Sequence, residues 1–235
     1  MALNILVTGS SRGIGKAIVG ALGAHQVIGH SSSNGDAARI ASDLSQPGAA
    51  EALWAEALDR LGGRIDVLVN NAGVFEASPI DQDHDAWLAG WERTMQINLT
   101  ASAELCRLAV LHFRARGEGG RIVNVASRAA YRGDSPNHWH YAASKAGMIG
   151  MTKTIARGYA GEGILAFAVC PGFTMTGMAE DYLASRGGDK LLADIPLGRV
   201  AAPEEVAETV RWLAVDAPPS ATGAVIDVNG ASYVR

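Results

Sequence analysis

The fold is decided by the stretch NILVTGSSRGIGKAIVGAL, which occupies residues 4–22. It begins with a short apolar run, Asn4–Val7, of the kind that forms a buried parallel strand. Three glycines follow within Thr8–Gly15, and the next residues, Lys16–Leu22, form a helix-forming stretch. A strand, a glycine-rich turn and a helix in this order predict a dinucleotide-binding unit.

Each glycine of this loop has a predicted role. Gly9 allows a sharp turn, Gly13 allows a pyrophosphate to approach the backbone, and Gly15 allows the helix to pack closely on the strand. The helix N-terminus then offers free N–H groups and a positive dipole end to the phosphates. Ser11 and Ile14, which lie between the glycines, belong to the same predicted cofactor site.

A second informative stretch is HYAASKAG at residues 140–147. It lies in a predicted helix, where Tyr141 and Lys145 project from the same face because they are four residues apart. An ammonium group beside a phenol favours the phenolate, so we expect Lys145 to lower the tyrosine pKa from about 10 toward working pH. Such a tyrosine can donate a proton to a carbonyl oxygen or take one from an alcohol.

Three motifs and four single residues, ordered along the chain, resemble those of the short-chain dehydrogenase/reductase family. The glycine loop resembles its cofactor loop, and Asn70–Gly73 resembles the motif that ends its fourth strand. Pro171–Thr176 resembles the segment that holds the nicotinamide. The catalytic tetrad of the family is matched in identity and order by Asn98, Ser127, Tyr141 and Lys145. The resemblance covers nearly the whole chain, and 3-oxoacyl-[acyl-carrier-protein] reductases are the subgroup that it resembles most.

The alternation of elements predicts an α/β fold with a parallel sheet covered on both faces. We expect strands at 3–8, 26–30, 38–42, 65–70, 120–126, 164–170 and 224–228, and helices at 14–23, 48–61, 84–115 (broken), 140–160, 178–186 and 203–214. The resemblance implies one domain over residues 1–235, a Rossmann-like, doubly wound, seven-stranded sheet in the order 3-2-1-4-5-6-7. The ligand then lies across the carboxyl ends of the strands.

One connection departs from the family pattern. The second strand ends near His30 and the third begins by about Arg39, whereas a parallel crossover usually takes a dozen or more residues. We therefore predict that the helix between these strands is cut to one turn or lost. The adenosine end of the cofactor groove would then be more open.

The same region bears on the choice of cofactor. An acidic residue at the end of the second strand would accept bonds from the ribose 2′-OH of NAD, but His30–Ser32 contains none. The resemblance implies that Arg12 meets a 2′-phosphate, and Arg–phosphate contacts are strong. We expect NADP(H) to be preferred, with NAD(H) possible; alternatively, Arg12 is a surface charge and the serines a solvated turn. The predicted cofactor residues are Gly9, Ser11, Arg12, Gly13, Ile14, Gly15, His30, Ser31, Ser32, Asp43, Leu44, Asn70, Ala72, Gly73, Tyr141, Lys145, Pro171, Gly172, Thr174 and Thr176.

The resemblance also implies a mechanism, in which a hydride passes between nicotinamide C4 and a carbonyl or alcohol carbon. Tyr141 would donate or accept the proton, and Lys145 would also hold the ribose hydroxyls. Ser127 would orient and polarise the substrate oxygen. Asn98 would anchor a water that links Lys145 to solvent, and Thr176 would fix a cofactor phosphate or carboxamide.

The substrate is less specified. We expect Arg128 and Trp139, with Ser127 and Tyr141, to line its side of the site, beside a substrate loop at about 173–200. Gly161-Glu-Gly163 places an acid where carrier-protein reductases often present a base, which weakens that role. Three alternatives stay open: a reductase of sugars, polyols or small ketones, a 3-oxoacyl thioester reductase, and a cofactor-sensing protein without catalysis. The intact tetrad disfavours the last.

Composition disfavours several partners. The net charge of −4 gives no basic footprint for nucleic acid, and no apolar run reaches membrane-spanning length. Cys106 and Cys170 have no metal or redox spacing, and His138 and His140 lack a third ligand, so we expect no metal. No cleaved signal precedes the first strand, so a cytoplasmic location is expected.

Small and apolar residues on the predicted helices 84–115 and 140–160 exceed what one sheet can bury. The resemblance implies that these helices pair across a two-fold axis, and that residues 225–233 form a second interface. Two isologous interfaces give a homotetramer. Because Asp227–Ala231 lacks the double glycine of the family, a dimer through the long helices is the alternative.

Overall fold

A computed structural model describes residues 2–175 and 192–235. In it, seven parallel strands form one sheet in the order β3-β2-β1-β4-β5-β6-β7, as predicted. The strands are β1 Asn4–Val7, β2 Gln26–Ser31, β3 Arg39–Ala41, β4 Val67–Asn70, β5 Gly120–Val125, β6 Ile164–Pro171 and β7 Val225–Val228. The helices are α1 Gly13–Ala21, α2 Ala49–Arg60, α3 His84–Met95, α4 Ala101–Arg116, α5 Ala129–Arg132, α6 Trp139–Tyr159 and α7 Pro203–Arg211.

The central strands are buried on both faces, which explains their continuous apolar sequences. All eight residues of β6 are buried. Alternate residues of β1 face opposite helical layers: Ile5 and Val7 pack with residues of α1 and α7, and Leu6 packs with residues of α2 and α4. The carboxyl ends of the strands therefore meet at one edge, where the predicted site residues come together.

The crossover from β2 to β3 contains no helix, as predicted. The two strands pair in parallel, with Gly29 opposite Arg39, although only residues 32–38 connect them. The connection stays short because it folds back along β3: the Asp36 N–H donates to the carbonyl of Arg39 at 2.8 Å, and the two side chains form an ion pair at 2.7 Å. β3 is thereby a three-residue edge strand.

The predicted long helix over 84–115 is broken, as expected, and the break is a π-helical turn over residues 96–100 between α3 and α4. Such turns are frequent at functional sites, and this one contains Asn98. The short helix α5 was not predicted. The predicted helix at 178–186 and the site residue Thr176 lie outside the described residues. Within the described ranges, no helix is long and apolar enough to cross a membrane.

Candidate active site

The glycine loop between β1 and α1 has the backbone that its sequence predicts. Gly9 and Gly13 adopt left-handed conformations, with φ of 66° and 52°. A Cβ on Gly9 would lie 2.7 Å from the Cα of Ala72, and one on Gly15 would collide with the carbonyl oxygen of Gly9. No side chain in the described part of the chain caps the first turn of α1, so its N–H groups are available. This arrangement fits the pyrophosphate of a dinucleotide.

Asn71 and Thr8 hold the loop in place. The Asn71 amide donates to the carbonyls of Thr8 at 3.1 Å and Gly9 at 2.9 Å. The Thr8 hydroxyl oxygen accepts from the N–H groups of Asn71 and Ala72, both at 3.0 Å. Sequence reasoning did not include Asn71 among the site residues, although it stands within the quoted Asn70–Gly73 motif.

His30 is buried beneath the loop, where both ring nitrogens contact the protein backbone, and a contact with a cofactor stays a prediction. Its Nδ1 accepts from the Gly9 N–H at 3.1 Å, and its Nε2 lies 2.7 Å from the Ser42 carbonyl. Burial lowers the pKa of His30, so the ring is neutral with its proton on Nε2. Ser31 is also turned inward, bonded to the carbonyl of Asn34, whereas Ser32 is exposed. Of these three residues, Ser32 is the one whose side chain is exposed and could contact a cofactor directly.

Arg12 and Asp43 flank the adenosine end of the groove. Arg12 is exposed, and among the described residues its guanidinium has no hydrogen bond or ion pair, so it is free to meet a phosphate. The Asp43 carboxylate accepts from the Ser45 N–H at 3.0 Å, and this bond lowers its pKa. Asp43 therefore caps the turn that follows it, beside the buried Leu44.

Asn70 is fully buried behind the loop, and its place in the wall beneath the cofactor stays a prediction. Its amide donates to Asn124 Oδ1 at 2.9 Å and to Cys106 Sγ at 3.2 Å. Asn124 donates in turn to the Thr152 hydroxyl at 2.8 Å, so the network joins β4, β5 and α6. Asn70 therefore stabilises the sheet beneath the site.

Gly73 brings two tetrad members together. A Cβ at Gly73 would lie 3.3 Å from Asn98 Oδ1 and 3.4 Å from Lys145 Nζ. The Asn98 side chain accepts from the Val74 N–H at 2.8 Å and donates to the Val74 carbonyl at 3.0 Å. It also donates to the Ser144 hydroxyl at 3.3 Å. Asn98 thus fixes the loop beside Lys145, and its role in anchoring a water stays a prediction.

The other tetrad members converge at the carboxyl end of β5. The Ser127 side chain lies close enough to Tyr141 to lower the tyrosine pKa, and its hydroxyl oxygen accepts from the Ala129 N–H at 3.1 Å. Lys145 is buried in α6, where its ammonium donates to the Val125 carbonyl at 2.9 Å. Its Nζ lies 5.9 Å from the centre of the Tyr141 ring. The serine and tyrosine hydroxyls can therefore bind one substrate oxygen, with a cation close by.

The pKa of Tyr141 shifts in the direction opposite to the expected one. Burial raises the tyrosine pKa to about 12, although the hydrogen bond from Ser127 opposes this shift. Burial also lowers the pKa of Lys145 to about 8. The expectation was wrong because desolvation dominates for both groups. The lysine is bonded to the carbonyl of Val125, so its ammonium does not offset the burial of the phenol.

Aromatic side chains form one wall beside the catalytic tyrosine. The Phe75 ring meets Tyr141 edge-on, with ring centres 4.8 Å apart, and stacks on His138 at 3.9 Å. Trp139, expected on the substrate side, is 54% exposed at the start of α6. Phe75 was not among the predicted site residues. The one signal for it in the sequence is its position two residues after the Asn70–Gly73 motif.

The segment after β6 is fixed against the C-terminal region. The Gly172 N–H donates to the Val228 carbonyl at 2.9 Å, and a Cβ on Gly172 would lie 2.8 Å from that of Asn229. Thr174 is buried, and its hydroxyl donates to the Gly172 carbonyl at 3.3 Å, so it faces the protein. Pro171 ends β6 at the carboxyl edge of the sheet, as expected.

Residues 2–175 and 192–235 contain no group of three His, Cys, Asp or Glu side chains that could hold a metal ion. The rings of His138 and His140 lie 6.3 Å apart and stack on each other. Both cysteines, Cys106 and Cys170, are free and buried.

In comparisons with known proteins, this chain is similar to proteins described as reductases or dehydrogenases. A family model described as enoyl-(acyl carrier protein) reductase matches residues 9–231. The chain is 37% identical to a 3-oxoacyl-[acyl-carrier-protein] reductase of Synechocystis sp., with 96% of this chain and 94% of that protein covered. It is 36% identical to 3beta-hydroxysteroid dehydrogenase 1 of Eggerthella lenta, with coverage of 96% and 92%. A solved structure, a putative 2-deoxy-D-gluconate 3-dehydrogenase from Agrobacterium tumefaciens with bound NADP, superposes with a TM-score of 0.88 at 28% identity, covering 99% of this chain and 97% of that one.

Proposed function

The chain belongs to the short-chain dehydrogenase/reductase family and is an oxidoreductase, and from this premise we propose that it interconverts carbonyls and secondary alcohols with NADP(H). The observation that carries the proposal is the convergence of Ser127, Tyr141 and the buried Lys145, in which the Ser127 side chain is close enough to lower the tyrosine pKa and the lysine Nζ lies 5.9 Å from the tyrosine ring. This cluster lies at the carboxyl edge of the sheet, on the same side as the glycine loop, so one ligand can reach both.

The protein residues supply binding and proton transfer. NADP(H), when bound, supplies or accepts the hydride at nicotinamide C4. Because the pKa of Tyr141 is about 12, the phenol keeps its proton in the neutral range and can donate it to a carbonyl oxygen. Ser127 orients that oxygen through its hydroxyl. Lys145, with a pKa of about 8, keeps its ammonium form at neutral pH and would hold the ribose hydroxyls of the cofactor.

The preference for NADP(H) over NAD(H) rests on charge. Arg12 is exposed beside the glycine loop, and the hydroxyl of Ser32 is exposed at the end of β2. The end of that strand carries no carboxylate to repel a 2′-phosphate. NAD(H) lacks the group that Arg12 would bind, so it would serve less well but could still occupy the same groove.

Among substrates, we favour small ketones, sugars or polyols over a carrier-bound 3-oxoacyl thioester. Reduction of a carrier-bound 3-oxoacyl thioester is the alternative, because two of the relatives are named as reductases of this kind. Against it stands Glu162, which ion-pairs with Arg114 at 2.7 Å, in a turn where a basic residue would favour an acidic carrier protein. Ser127, Arg128, Trp139 and Tyr141 would line the substrate side.

We also propose a homotetramer in the cytoplasm. Leu111 on α4 is 47% exposed, as expected if a second copy covers this helix. The free, buried cysteines are compatible with a reducing compartment. Light scattering at micromolar concentration tests the assembly: a monomeric mass would contradict it, and a dimeric mass would contradict only the second interface.

The experiment for the activity is a panel of ketones, oxo acids, sugars and 3-oxoacyl thioesters with NADPH and NADH, followed at the nicotinamide absorbance band. We expect turnover of at least one carbonyl class, faster with NADPH. Binding of NADPH without turnover of any class would favour the cofactor-sensing alternative.

A further inference from the structure

The mechanism leaves unused a buried cation next to the catalytic serine. Arg128 follows Ser127 directly, and only 8% of its surface is exposed. Its N–H donates to the carbonyl of Pro171 at 3.0 Å, which fixes its backbone at the carboxyl edge between β5 and β6. The guanidinium lies 4.8 Å from the centre of the Phe173 ring, against the segment that follows β6. Arg128 is thus part of the active-site edge.

The guanidinium is incompletely neutralised by the residues around it. Its ion pair is a contact to Asp194 at 3.5 Å, and the same carboxylate oxygen binds Arg132 more closely, at 2.7 Å. Burial and the charge of Arg132 lower the pKa of Arg128, while Asp194 and the more distant Asp134 oppose this shift. Two arginines therefore share one carboxylate, and Arg132 holds it.

Among residues 2–175 and 192–235, few partners use the hydrogen-bonding capacity of Arg128. A guanidinium carries five N–H donors, and the side chain makes one long bond. Within the described ranges, its nitrogens are not among the fully buried atoms that lack a partner, so the remaining donors face accessible space. Because the carboxylate near this cation lies closer to Arg132, the donors that reach accessible space provide a preformed site for an anion.

We propose that Arg128 binds a carboxylate of the substrate, so that the enzyme acts on oxo acids and hydroxy acids; this proposal rests on the proposed function. A guanidinium matches a carboxylate in a bidentate fork. Asp194 already presents a carboxylate to the same group at 3.5 Å, and it would remain on Arg132 when the substrate binds. The serine and tyrosine would then hold the carbonyl oxygen while Arg128 selects the charged end.

The test compares anions with their neutral esters. The probes are 3-oxobutanoate and 4-oxopentanoate with NADPH, each against its methyl ester. We expect kcat/KM to favour the acids, and Arg128→Met to lower the value for the acids at least about tenfold, the loss of one charge-assisted hydrogen bond. The esters should change less than about twofold. Arg211→Met, which removes the same charge from α7, should leave the ratio of acid to ester unchanged.

A second variant should change the binding of the acids in the opposite direction, toward tighter binding. Asp194→Asn removes the carboxylate that competes for Arg128. The acids should therefore bind more tightly, and the binding of the esters should stay unchanged. Equal losses for acids and esters in Arg128→Met, or no gain for the acids in Asp194→Asn, would show that Arg128 has a structural role only.

Calorimetric titration of the same acids into the chain with NADP⁺ separates this inference from the proposed function. Acid binding that is lost in Arg128→Met supports the inference even if no carbonyl is turned over, an outcome that would refute the proposed function alone. Acids that bind wild type no better than their esters would overturn the inference.

Discussion

Replacing Lys145 with methionine should inactivate the enzyme and stabilise its fold at neutral pH. Burial lowers the pKa of Lys145 from its ordinary value of 10.5 to about 8. Since one pKa unit corresponds to about 1.4 kcal/mol, holding the ammonium in the interior opposes folding by about 3 kcal/mol. Methionine has a similar length and no charge. Its substitution leaves the Val125 carbonyl without its donor, which costs about 1–3 kcal/mol. The net gain is therefore about 1 kcal/mol.

The stability difference between Lys145→Met and wild type should depend on pH in one direction, which follows from the lowered pKa of Lys145. The folded pKa lies below the unfolded one, so between about pH 8 and pH 10.5 the unfolded chain binds the proton more readily. The unfavourable contribution of Lys145 is complete below about pH 8 and disappears above about pH 10.5. The advantage of Lys145→Met should therefore shrink as the pH rises through this window.

Urea denaturation at about pH 7, pH 8.5 and pH 10 measures the difference in the free energy of unfolding. Lys153→Met, on the exposed face of the same helix, is the matched control and should show no such trend. A difference between Lys145→Met and wild type that stays constant with pH would refute the reasoning, because it would show that the buried lysine is not desolvated.

Three further predictions concern the cofactor loop and the C-terminus. Arg12→Ala should weaken NADPH binding by about 1.5–3 kcal/mol and NADH binding much less, measured by fluorescence titration; equal losses would make Arg12 a general loop residue. Ala231 has a φ of 63°, so Ala231→Gly should stabilise the fold by about 0.5–1 kcal/mol in urea denaturation, and a loss of stability would contradict the strain. Because burial lowers the pKa of His30 below 6.5, the unfolded chain binds the proton first and stability should fall as the pH drops below about 6.5. This decline should be weaker in His30→Gln, and an identical decline would exclude His30 as its source.

The family resemblance implies the sheet order, and the local signals of strand, glycine turn and helix predict the position of nearly every described element. The short crossover was also predictable, since the distance from His30 to Arg39 leaves no room for a helix. The ends of strands differ by one or two residues: β4 begins at Val67 rather than residue 65, because strand ends depend on pairing with neighbours.

Within the site, the sequence predicts which tetrad residues the fold brings together, but not which way their neighbours face. His30 and Asn70 stand in motifs that border the cofactor, yet both turn inward to support the loop and the sheet. Asn71 holds the glycine loop and Phe75 packs on Tyr141. Both contacts join residues far apart in the sequence, which one sequence does not reveal. The pKa shift of Tyr141 depends on burial, so a spacing of four residues could not supply its direction.

We propose that Tyr141 carries the proton and is not the main anchor of the cofactor. This proposal is tested most directly by Tyr141→Phe, with NADPH oxidation and NADPH affinity measured on the same preparation, using the best carbonyl of the panel. Phenylalanine keeps the ring and its edge contact with Phe75 and removes only the hydroxyl, whose pKa the nearby Ser127 lowers. The account predicts a loss of turnover of about 10²–10⁴-fold or more with cofactor affinity within about twofold of wild type. Turnover close to wild type would contradict it.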